Sequence, residues 1–157
     1  MNVVAESVNI VVVEDDDGHA TLIERNLRRA GLTNPVVRLR DGQEALDYFF
    51  AGTDTGTGTL ALPDAADSVL LLDINMPRVD GIDVLRRLKA DARTARIPTI
   101  MLTTTDDPRE IERCYQLGCN VYITKPVEYD AFMEAIRRLG FFLQIVRIAS
   151  NRTGNHT

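Results

Sequence analysis

Five short apolar runs alternate along the chain with segments whose apolar residues recur at helical spacing. The runs are VNIVVV at 8–13, PVVRLR at 35–40, VLLLD at 69–73, PTIMLT at 98–103 and NVYIT at 120–124. VNIVVV is a continuous apolar run, which is typical of a strand covered on both faces of a sheet, and VLLLD is predicted to be the central buried strand, whereas PVVRLR indicates a weaker second strand. Strands that alternate with helices of about ten to fifteen residues indicate right-handed βαβ crossovers. The pattern therefore predicts an α/β fold built on one five-stranded, doubly wound parallel sheet.

The segments between and after these runs predict five amphipathic helices. They are expected at about 17–30, from Asp41-Gly42 onward, at about 81–90, from Asp107 to Gly118, and from about 128 to the mid-140s. Asp107 is a suitable N-cap, and the glycine at 118 is a suitable helix end. The buried stripe of the first helix is predicted to consist of Leu22, Ile23, Leu27 and Ala30.

The composition is that of an ordinary globular chain with an acidic balance. Of the 157 residues, 45% are hydrophobic and 26% are charged, and the formal net charge is −5. This charge argues against nucleic acid or an anionic membrane surface as a partner. No apolar run reaches the roughly 18 residues of a membrane span. The first ten residues lack the basic segment of a secretion signal, so we expect a cytoplasmic protein.

The chain contains no obvious linker, so we expect a single domain over 1–148, a polar tail over 149–157 and no output domain. The two cysteines, Cys114 and Cys119, have no His or Cys neighbours at metal-ligand spacing. We expect both to be packing residues.

Chemically reactive residues are concentrated at or just past the ends of the predicted strands. They are the acidic cluster at 14–17, Asp73, Thr103, Tyr122 and Lys125. The ligand crevice of an open parallel sheet lies outside the carboxyl ends of its strands, so these residues are expected to converge. Glu14, Asp15 and Asp73 would then repel each other unless a cation compensates their charges. An all-oxygen ligand set suits Mg²⁺, and Lys125 would supply one more positive charge.

Asp73 is the best candidate for a nucleophile in such a pocket. A carboxylate is ionised at neutral pH without the help of a base, and it can attack phosphorus to form an acyl phosphate. Mg²⁺ and Lys125 would neutralise the charge on the transferring group. Thr103 offers a hydroxyl to a phosphoryl oxygen, and Asn75 offers its backbone carbonyl to the metal.

Each of these residues, taken singly, also has a purely structural explanation. A lone Asp after a strand is often a turn residue, and a lone lysine is often a solvated surface charge. Asp16 and Asp17 are expected to cap the first helix and to interact with its dipole. The coincidence of an acceptor, an acidic pair, a hydroxyl and a lysine at the strand ends favours a phosphoryl-accepting site.

Four motifs at these positions are VVVEDD, LLDINMPRVDG, IPTIMLTT and YITKP. With them, residues of about 7–144 resemble the receiver domain of bacterial two-component response regulators, which has a flavodoxin-like (βα)5 fold. The resemblance implies that Asp73 is the phosphoacceptor and that a sensor histidine kinase is the phosphoryl donor. It implies that Mg²⁺ is held by Glu14, Asp15, Asp73 and the backbone carbonyl of Asn75.

The resemblance also implies how the site is used. Lys125 would contact the phosphoryl group, and Thr103 and Tyr122 would form a switch pair. The bond between Lys125 and Pro126 would be cis, as is typical of the family. We expect a protein that promotes only its own phosphorylation and dephosphorylation, and so is not an enzyme in the usual sense.

A finer resemblance is to single-domain regulators that are paired with bacterial phytochromes. It rests on the long segment 53–67 before the third strand, on LTTTDDPREIERCYQLGCNVYITKP and on the apolar C-terminal segment. It implies a phytochrome-type kinase as the partner.

The C-terminal segment holds more apolar residues than one helix needs to pack on the sheet. We expect a homodimer through the face of the fourth helix, fifth strand and fifth helix, extended by this segment. The alternative is a longer helix packed on its own domain. The candidate dimer residues are Phe141, Phe142, Ile145, Val146 and Ile148.

Other functions are less compatible with the motifs. A haloacid-dehalogenase-like phosphatase needs an acid two residues after its nucleophile, where this chain has Asn75. The G-x-G-x-x-A at 56–61 precedes a strand, so it does not have the context of a dinucleotide site. A pseudo-receiver that only binds proteins, phosphate relay, and a phosphate sink remain as alternatives for the output.

Overall fold

The computed structural model describes residues 8–29, 31–50, 68–76, 78–104, 106–125, 128–131 and 134. The strands are β1 (Asn9–Val13), β2 (Val36–Leu39), β3 (Ser68–Asp73), β4 (Thr99–Thr103) and β5 (Val121–Thr124). The helices between them are α1 (Asp17–Arg29), α2 (Gly42–Phe50), α3 (Gly81–Ala90) and α4 (Pro108–Leu117). The strands form one parallel sheet in the order β2-β1-β3-β4-β5. The predicted five-stranded, doubly wound parallel sheet is confirmed.

The central strands are buried on both faces, which explains why they are continuous apolar runs rather than alternating ones. Because side chains alternate along a strand, the central strands β1, β3 and β4 each contribute to two separate clusters. On one face, Val12 and Leu71 belong to the same cluster as Ile23 of α1. On the other face, Leu72 clusters with Phe49 of α2 and residues of α3. The sheet is therefore a rigid platform for whatever lies at the ends of its strands.

Local sequence signals set the ends of two helices as predicted. The Asp107 side chain caps α4 by accepting a backbone N–H, and Gly118 ends the helix with a φ of 108°. Asp16 caps α1, since its Oδ1 accepts the N–H of His19 at 2.9 Å. Asp17 is the first helical residue rather than the cap, and its carboxylate pairs with Arg38.

The prediction for α1 is wrong at Leu22, which is 36% exposed. The buried positions of this helix are Ala20, Ile23, Asn26 and Leu27. Leu22 lies roughly 100° around the helix from its neighbour at 23, so it points away from the sheet. Hydrophobicity alone did not identify this position as the edge of the stripe.

Several predictions concern residues outside the described ranges. They are Ala30, the loop at 53–67, Pro126 with its cis bond, the tail at 149–157, and Phe141, Phe142, Ile145, Val146 and Ile148. Of the last predicted helix, residues 129–131 and 134 are described and helical. The guanidinium carbon of Arg29 lies 3.9 Å from the centre of the Tyr129 ring, so this segment contacts the end of α1.

Cys114 and Cys119 are free and buried, as the packing prediction required. Burial raises the pKa of Cys119 to about 12, so its thiol stays neutral.

In the part of the chain that the structure describes, no helix has both the length and the apolar character of a membrane span.

Candidate functional site

The strand order creates a switch point between β1 and β3 at the carboxyl edge of the sheet. From β1 the chain passes outward to β2 on one side, whereas β3 lies on the other side. Crevices at such points are the usual ligand sites of doubly wound folds. Val13 pairs with Leu72, so Glu14, which follows β1, lies beside Asp73 at the end of β3. Both side chains are buried, with 0% and 4% exposure.

Lys125 brings a positive charge to these two carboxylates from the far side of β4. Its backbone N–H donates to the carbonyl of Thr103 at 2.7 Å, which fixes the chain just after β5. Its Nζ lies 3.1 Å from Asp73 Oδ2 and contacts Glu14 Oε1. The lysine side chain is 6% exposed, so the three charged groups form a buried cluster.

The carboxylate of Asp15 extends this buried cluster to the protein surface. Oxygen atoms of Glu14, Asp15 and Asp73 all lie within 4.8 Å of one another, and Asp15 is exposed. Three carboxylates beside one lysine leave excess negative charge in a small volume. Their donor atoms are all oxygen, which is the ligand type that Mg²⁺ prefers. The residues therefore fit a magnesium ion, with Asp15 on the solvent side.

The pKa of Asp73 is raised by its burial and by the carboxylate of Glu14 beside it. Burial, together with the neighbouring Glu14, raises the pKa of Asp73 from 3.8 to about 7, although Lys125 acts in the opposite direction. Burial also acts to raise the pKa of Glu14, but hydrogen bonding with Asp73 and Lys125 outweighs it and lowers that pKa. In the absence of a divalent cation, Asp73 is thus protonated far more readily than an ordinary aspartate, and a bound cation would favour its ionised form.

This shift predicts an unusual pH dependence for the metal-free protein. Because folding raises the pKa of Asp73, its contribution to stability is complete below about pH 4 and is lost as pH rises through about 7. Asp73→Asn cannot ionise, so it removes this loss. In EDTA at pH 8 we expect Asp73→Asn to have a higher free energy of unfolding than the wild type. Urea unfolding followed by circular dichroism suits a chain without tryptophan.

Other carboxylates titrate in both proteins. The quantity to compare is therefore the difference in the free energy of unfolding between the wild type and Asp73→Asn. The pKa of Asp91, for example, is lowered to about 2 by its hydrogen bonds with Arg93 in both proteins. The difference in stability should grow between about pH 4 and pH 7. A constant difference across this range would contradict the raised pKa of Asp73.

The loop after β3 carries Asn75, the predicted carbonyl ligand. The backbone N–H of Asn75 donates to Asp73 Oδ1 at 3.3 Å, and its side-chain amide donates to Thr104 Oγ1 at 3.4 Å. The loop returns to the strand where the N–H of Gly81 donates to Ile74 O at 2.8 Å. A Cβ atom on Gly81 would lie 2.1 Å from Asp73 O, so only glycine permits this approach.

A second contact holds the same loop from the outside. Arg78 donates from Nε and Nη2 to the carboxylate of Asp41 at 3.0 and 2.7 Å. Asp41 also accepts the N–H of Glu44 at 2.9 Å and so caps α2. The backbone of Arg78 has a φ of 66°, which is uncommon for a residue other than glycine. The bidentate pair holds this conformation in place.

Thr103 and Tyr122 lie on neighbouring strands with their side chains on the same face of the sheet. Met101 of β4 pairs with Tyr122, and Thr103 pairs with Thr124, so the predicted switch residues are diagonal neighbours. Thr103 is fully buried, whereas Tyr122 is half-buried. The Tyr122 hydroxyl accepts a hydrogen bond from Thr124 Oγ1 at 3.2 Å.

Two residues that the motifs did not single out also reach the pocket. His19 Nδ1 lies 3.6 Å from Glu14 Oε1 and 3.4 Å from Lys125 Nζ. Arg38 of β2 donates to the backbone carbonyl of Glu14 at 2.8 and 3.0 Å. The one available signal for Arg38 is a charged residue inside an otherwise apolar strand. The position of His19 in the first turn of α1 carries no such signal.

The fold and pocket together define a class of proteins, the doubly wound domains that present a buried aspartate beside an acidic metal site. The chain belongs to the response regulator receiver domain family, whose model matches residues 10–137. It is thus a component of two-component signal transduction, in a family whose members typically accept a phosphoryl group on aspartate with Mg²⁺.

Three relatives illustrate the closeness of the match. The probable methanogenesis regulatory protein FilR2 of Methanothrix harundinacea is 35% identical over 83% of this chain and 79% of its own length. A response regulator receiver domain from Rhodospirillum rubrum is 50% identical, with a TM-score of 0.70, over 88% of this chain and 94% of that one. The bacteriophytochrome response regulator AtBRR is 36% identical, with a TM-score of 0.67, over 85% of this chain and 92% of that one.

Proposed function

We propose that Asp73 is the phosphoacceptor of this receiver domain and that Mg²⁺ assists the transfer. The observation that carries the proposal is the contact of Asp73 with Lys125 at 3.1 Å, beside the acidic groups of Glu14 and Asp15. A carboxylate held between a lysine and an acidic metal pocket has the charge partners that phosphoryl transfer demands. Its second oxygen, Oδ1, is oriented by the N–H of Asn75.

Mg²⁺ would be held by Glu14, Asp15, Asp73 and the backbone carbonyl of Asn75. When bound, the metal supplies positive charge for the phosphoryl oxygens. Two receiver domains similar in structure to this chain support the choice of ion. Rcp1, 26% identical, is known in a Mn²⁺-bound form, and the receiver domain of PA1611, 27% identical, has magnesium in its active-site cleft.

The side chains of the protein contribute to the reaction by positioning the reacting groups and by supplying charge. Asp73 attacks phosphorus with a carboxylate oxygen, so the bond to the leaving group breaks as the acyl phosphate forms. Lys125 stays within reach of the transferred group because its backbone is fixed by Thr103. The hydroxyl of Thr103 can donate to a phosphoryl oxygen from the neighbouring strand end.

Intact mass measurement after incubation with Mg²⁺ and acetyl phosphate tests the acceptor directly. We expect the wild type to gain the mass of one phosphoryl group and Asp73→Asn to gain none, because an amide is not a nucleophile here. An equal gain in both proteins would place the phosphate elsewhere. No gain in the wild type would favour a pseudo-receiver that only binds proteins.

The signal would leave the pocket through Thr103 and Tyr122. A phosphoryl group adds about −1.5 to −2 charge and would draw the Thr103 hydroxyl toward it. The space beside β4 would then admit the ring of Tyr122, which lies diagonally on β5. Inward rotation would break the hydrogen bond from Thr124 to Tyr122 and change the face formed by α4 and β5.

We propose a sensor histidine kinase of the phytochrome type as the phosphoryl donor. Support comes from the bacteriophytochrome response regulators among the similar structures, AtBRR and RtBRR, at 36% and 35% identity. The homodimer through 141–148, the single-domain organisation and the cytoplasmic location stay predictions from the sequence. So does the expectation that the protein catalyses only its own phosphorylation and dephosphorylation.

A further inference from the structure

Arg38 is the only charged residue of β2, a four-residue strand at the edge of the sheet. It pairs in register with Val12 of β1, and its side chain is 26% exposed. A charged residue at such a position has to find partners, because a half-buried guanidinium without them is unfavourable. Its partners lie past the end of β1, in the loop that carries the acidic pair.

The three nitrogen atoms of this guanidinium donate to two residues after β1, one in the loop that follows the strand and one at the start of α1. Nε and Nη2 donate to the backbone carbonyl of Glu14 at 3.0 and 2.8 Å. Nη1 donates to Asp17 Oδ1 at 2.9 Å, in the first turn of α1. The planar fork of arginine is suited to this double engagement, whereas the single ammonium of lysine is not.

Glu14 is thereby held by β2 through both of its backbone groups. Its N–H donates to the carbonyl of Leu39 at 3.0 Å, as the last bond of the sheet ladder. Its carbonyl lies beyond the ladder and accepts from Arg38 instead. The backbone of Glu14 is thus fixed on both sides of its Cα atom, and its side chain leaves this fixed point toward Asp73 and Lys125.

We propose that Arg38 is a positioning residue for the metal site, acting through the backbone of Glu14. The inference rests on the proposed Mg²⁺ site. Arg38 lies outside that site, because it contacts the backbone of Glu14 and the side chain of Asp17. Partners that orient metal ligands typically contribute about 10–100-fold to metal affinity. The Glu14 carbonyl shares its peptide group with the nitrogen of Asp15, so Arg38 also restrains the backbone from which Asp15 extends.

The positive charge of Arg38 allows its positioning role to be distinguished from its electrostatic effect on the metal, because the two effects on metal affinity have opposite signs. Removing a cation near a metal site should strengthen binding of a divalent ion, since one repulsive charge is lost. Removing a positioning residue should weaken it. Arg40 provides a matched control, because its Nη1 lies 3.2 Å from the same Asp17 carboxylate. In the part of the chain that the structure describes, Arg40 makes no hydrogen bond or ion pair with Glu14.

The test is titration of the full chain with Mn²⁺, followed by electron paramagnetic resonance of the free ion. We expect Arg38→Met to bind Mn²⁺ about tenfold more weakly than the wild type, and Arg40→Met to bind equally or more tightly. Arg38→Lys keeps the charge but lacks the planar fork that donates twice to Glu14 O and once to Asp17, so it should also bind more weakly. Excess Mg²⁺ should restore phosphorylation by acetyl phosphate in both Arg38 variants.

Each outcome bears on one proposal. Equal or tighter binding of Mn²⁺ by Arg38→Met would overturn the role of Arg38, and so would equal weakening in Arg38→Met and Arg40→Met. If Arg38→Met does not fold, as urea unfolding in EDTA would reveal, wild-type affinity in Arg38→Lys would overturn it. Absence of Mn²⁺ binding in the wild type would instead contradict the metal site itself.

Discussion

Replacement of Lys125 by methionine is expected to slow phosphorylation of Asp73 by about a hundredfold. The lysine Nζ lies 3.1 Å from Asp73 Oδ2, where it would face the charge that gathers on the phosphoryl group in the proposed transfer. Loss of one such preorganised charge donor typically costs about 10²–10³ in rate. The rate of mass gain with acetyl phosphate at saturating Mg²⁺ measures this effect.

The same substitution should affect the metal in the opposite direction. Lys125 holds one positive charge against Glu14 and Asp73, so its removal leaves these carboxylates without their cation. A divalent ion then becomes the main source of compensation, and we expect Lys125→Met to bind Mn²⁺ more tightly than the wild type. A variant that had merely lost its fold would bind the ion more weakly, so the two results together identify a specific effect.

Lys89 offers a matched control for a buried lysine outside the pocket. Its Nζ donates to the carbonyl oxygens of Ala95 and Ile97 at 3.0 and 2.8 Å, and burial lowers its pKa. Lys89→Met should therefore lower the free energy of unfolding and leave phosphorylation of the folded protein unchanged. Equal slowing of phosphorylation in the two methionine variants would contradict the role assigned to Lys125.

Gly81→Ala is expected to destabilise the protein by about 3 kcal/mol, near the upper end for a steric insertion into a packed interior. The new Cβ would lie 2.1 Å from Asp73 O and 2.8 Å from the Cα of Ile74. Both neighbours are backbone atoms, so no side chain can rotate to make room. For a domain of this size the melting temperature should fall by roughly 6–12 °C.

The clash at Gly81 also links stability to the site, because the crowded carbonyl belongs to Asp73, the proposed acceptor. Any relaxation that accommodates the methyl group has to move the end of β3, so we expect slower phosphorylation even in the folded fraction. Gly31→Ala is the control, since Gly31 has a φ of 86° but nothing within 4 Å of a Cβ atom. It should cost about 1 kcal/mol, from backbone conformation alone. A loss at Gly81 no larger than at Gly31 would show that the loop adapts freely.

Much of the site was predictable because parallel sheets have a simple geometry. Residues at the carboxyl ends of adjacent strands converge, whatever their separation in sequence. This rule alone indicated that Glu14, Asp73 and Lys125 would meet, and they do. The alternation of side chains explains why these three share a face, while Thr103 and Tyr122 share the other.

Other parts of the site depend on contacts that no local pattern encodes. Arg38 reaches Glu14 across 24 positions in sequence, and Arg78 reaches Asp41 across 37. Which carboxylate an arginine selects depends on the loop conformations, which differ among chains with the same pattern of strands. The error at Leu22 has a related cause, since an apolar residue on the border of a stripe can face either way.

The order of apolar runs was sufficient to specify the number of strands, their parallel pairing and the edge at which the site lies. These features follow from periodicity and chain connectivity, which are properties of the sequence. The raised pKa of Asp73, about 7, and the fixation of Glu14 by β2 required the folded structure. Both depend on burial and on distances of about 3 Å, and those quantities exist only once the strands have been brought together.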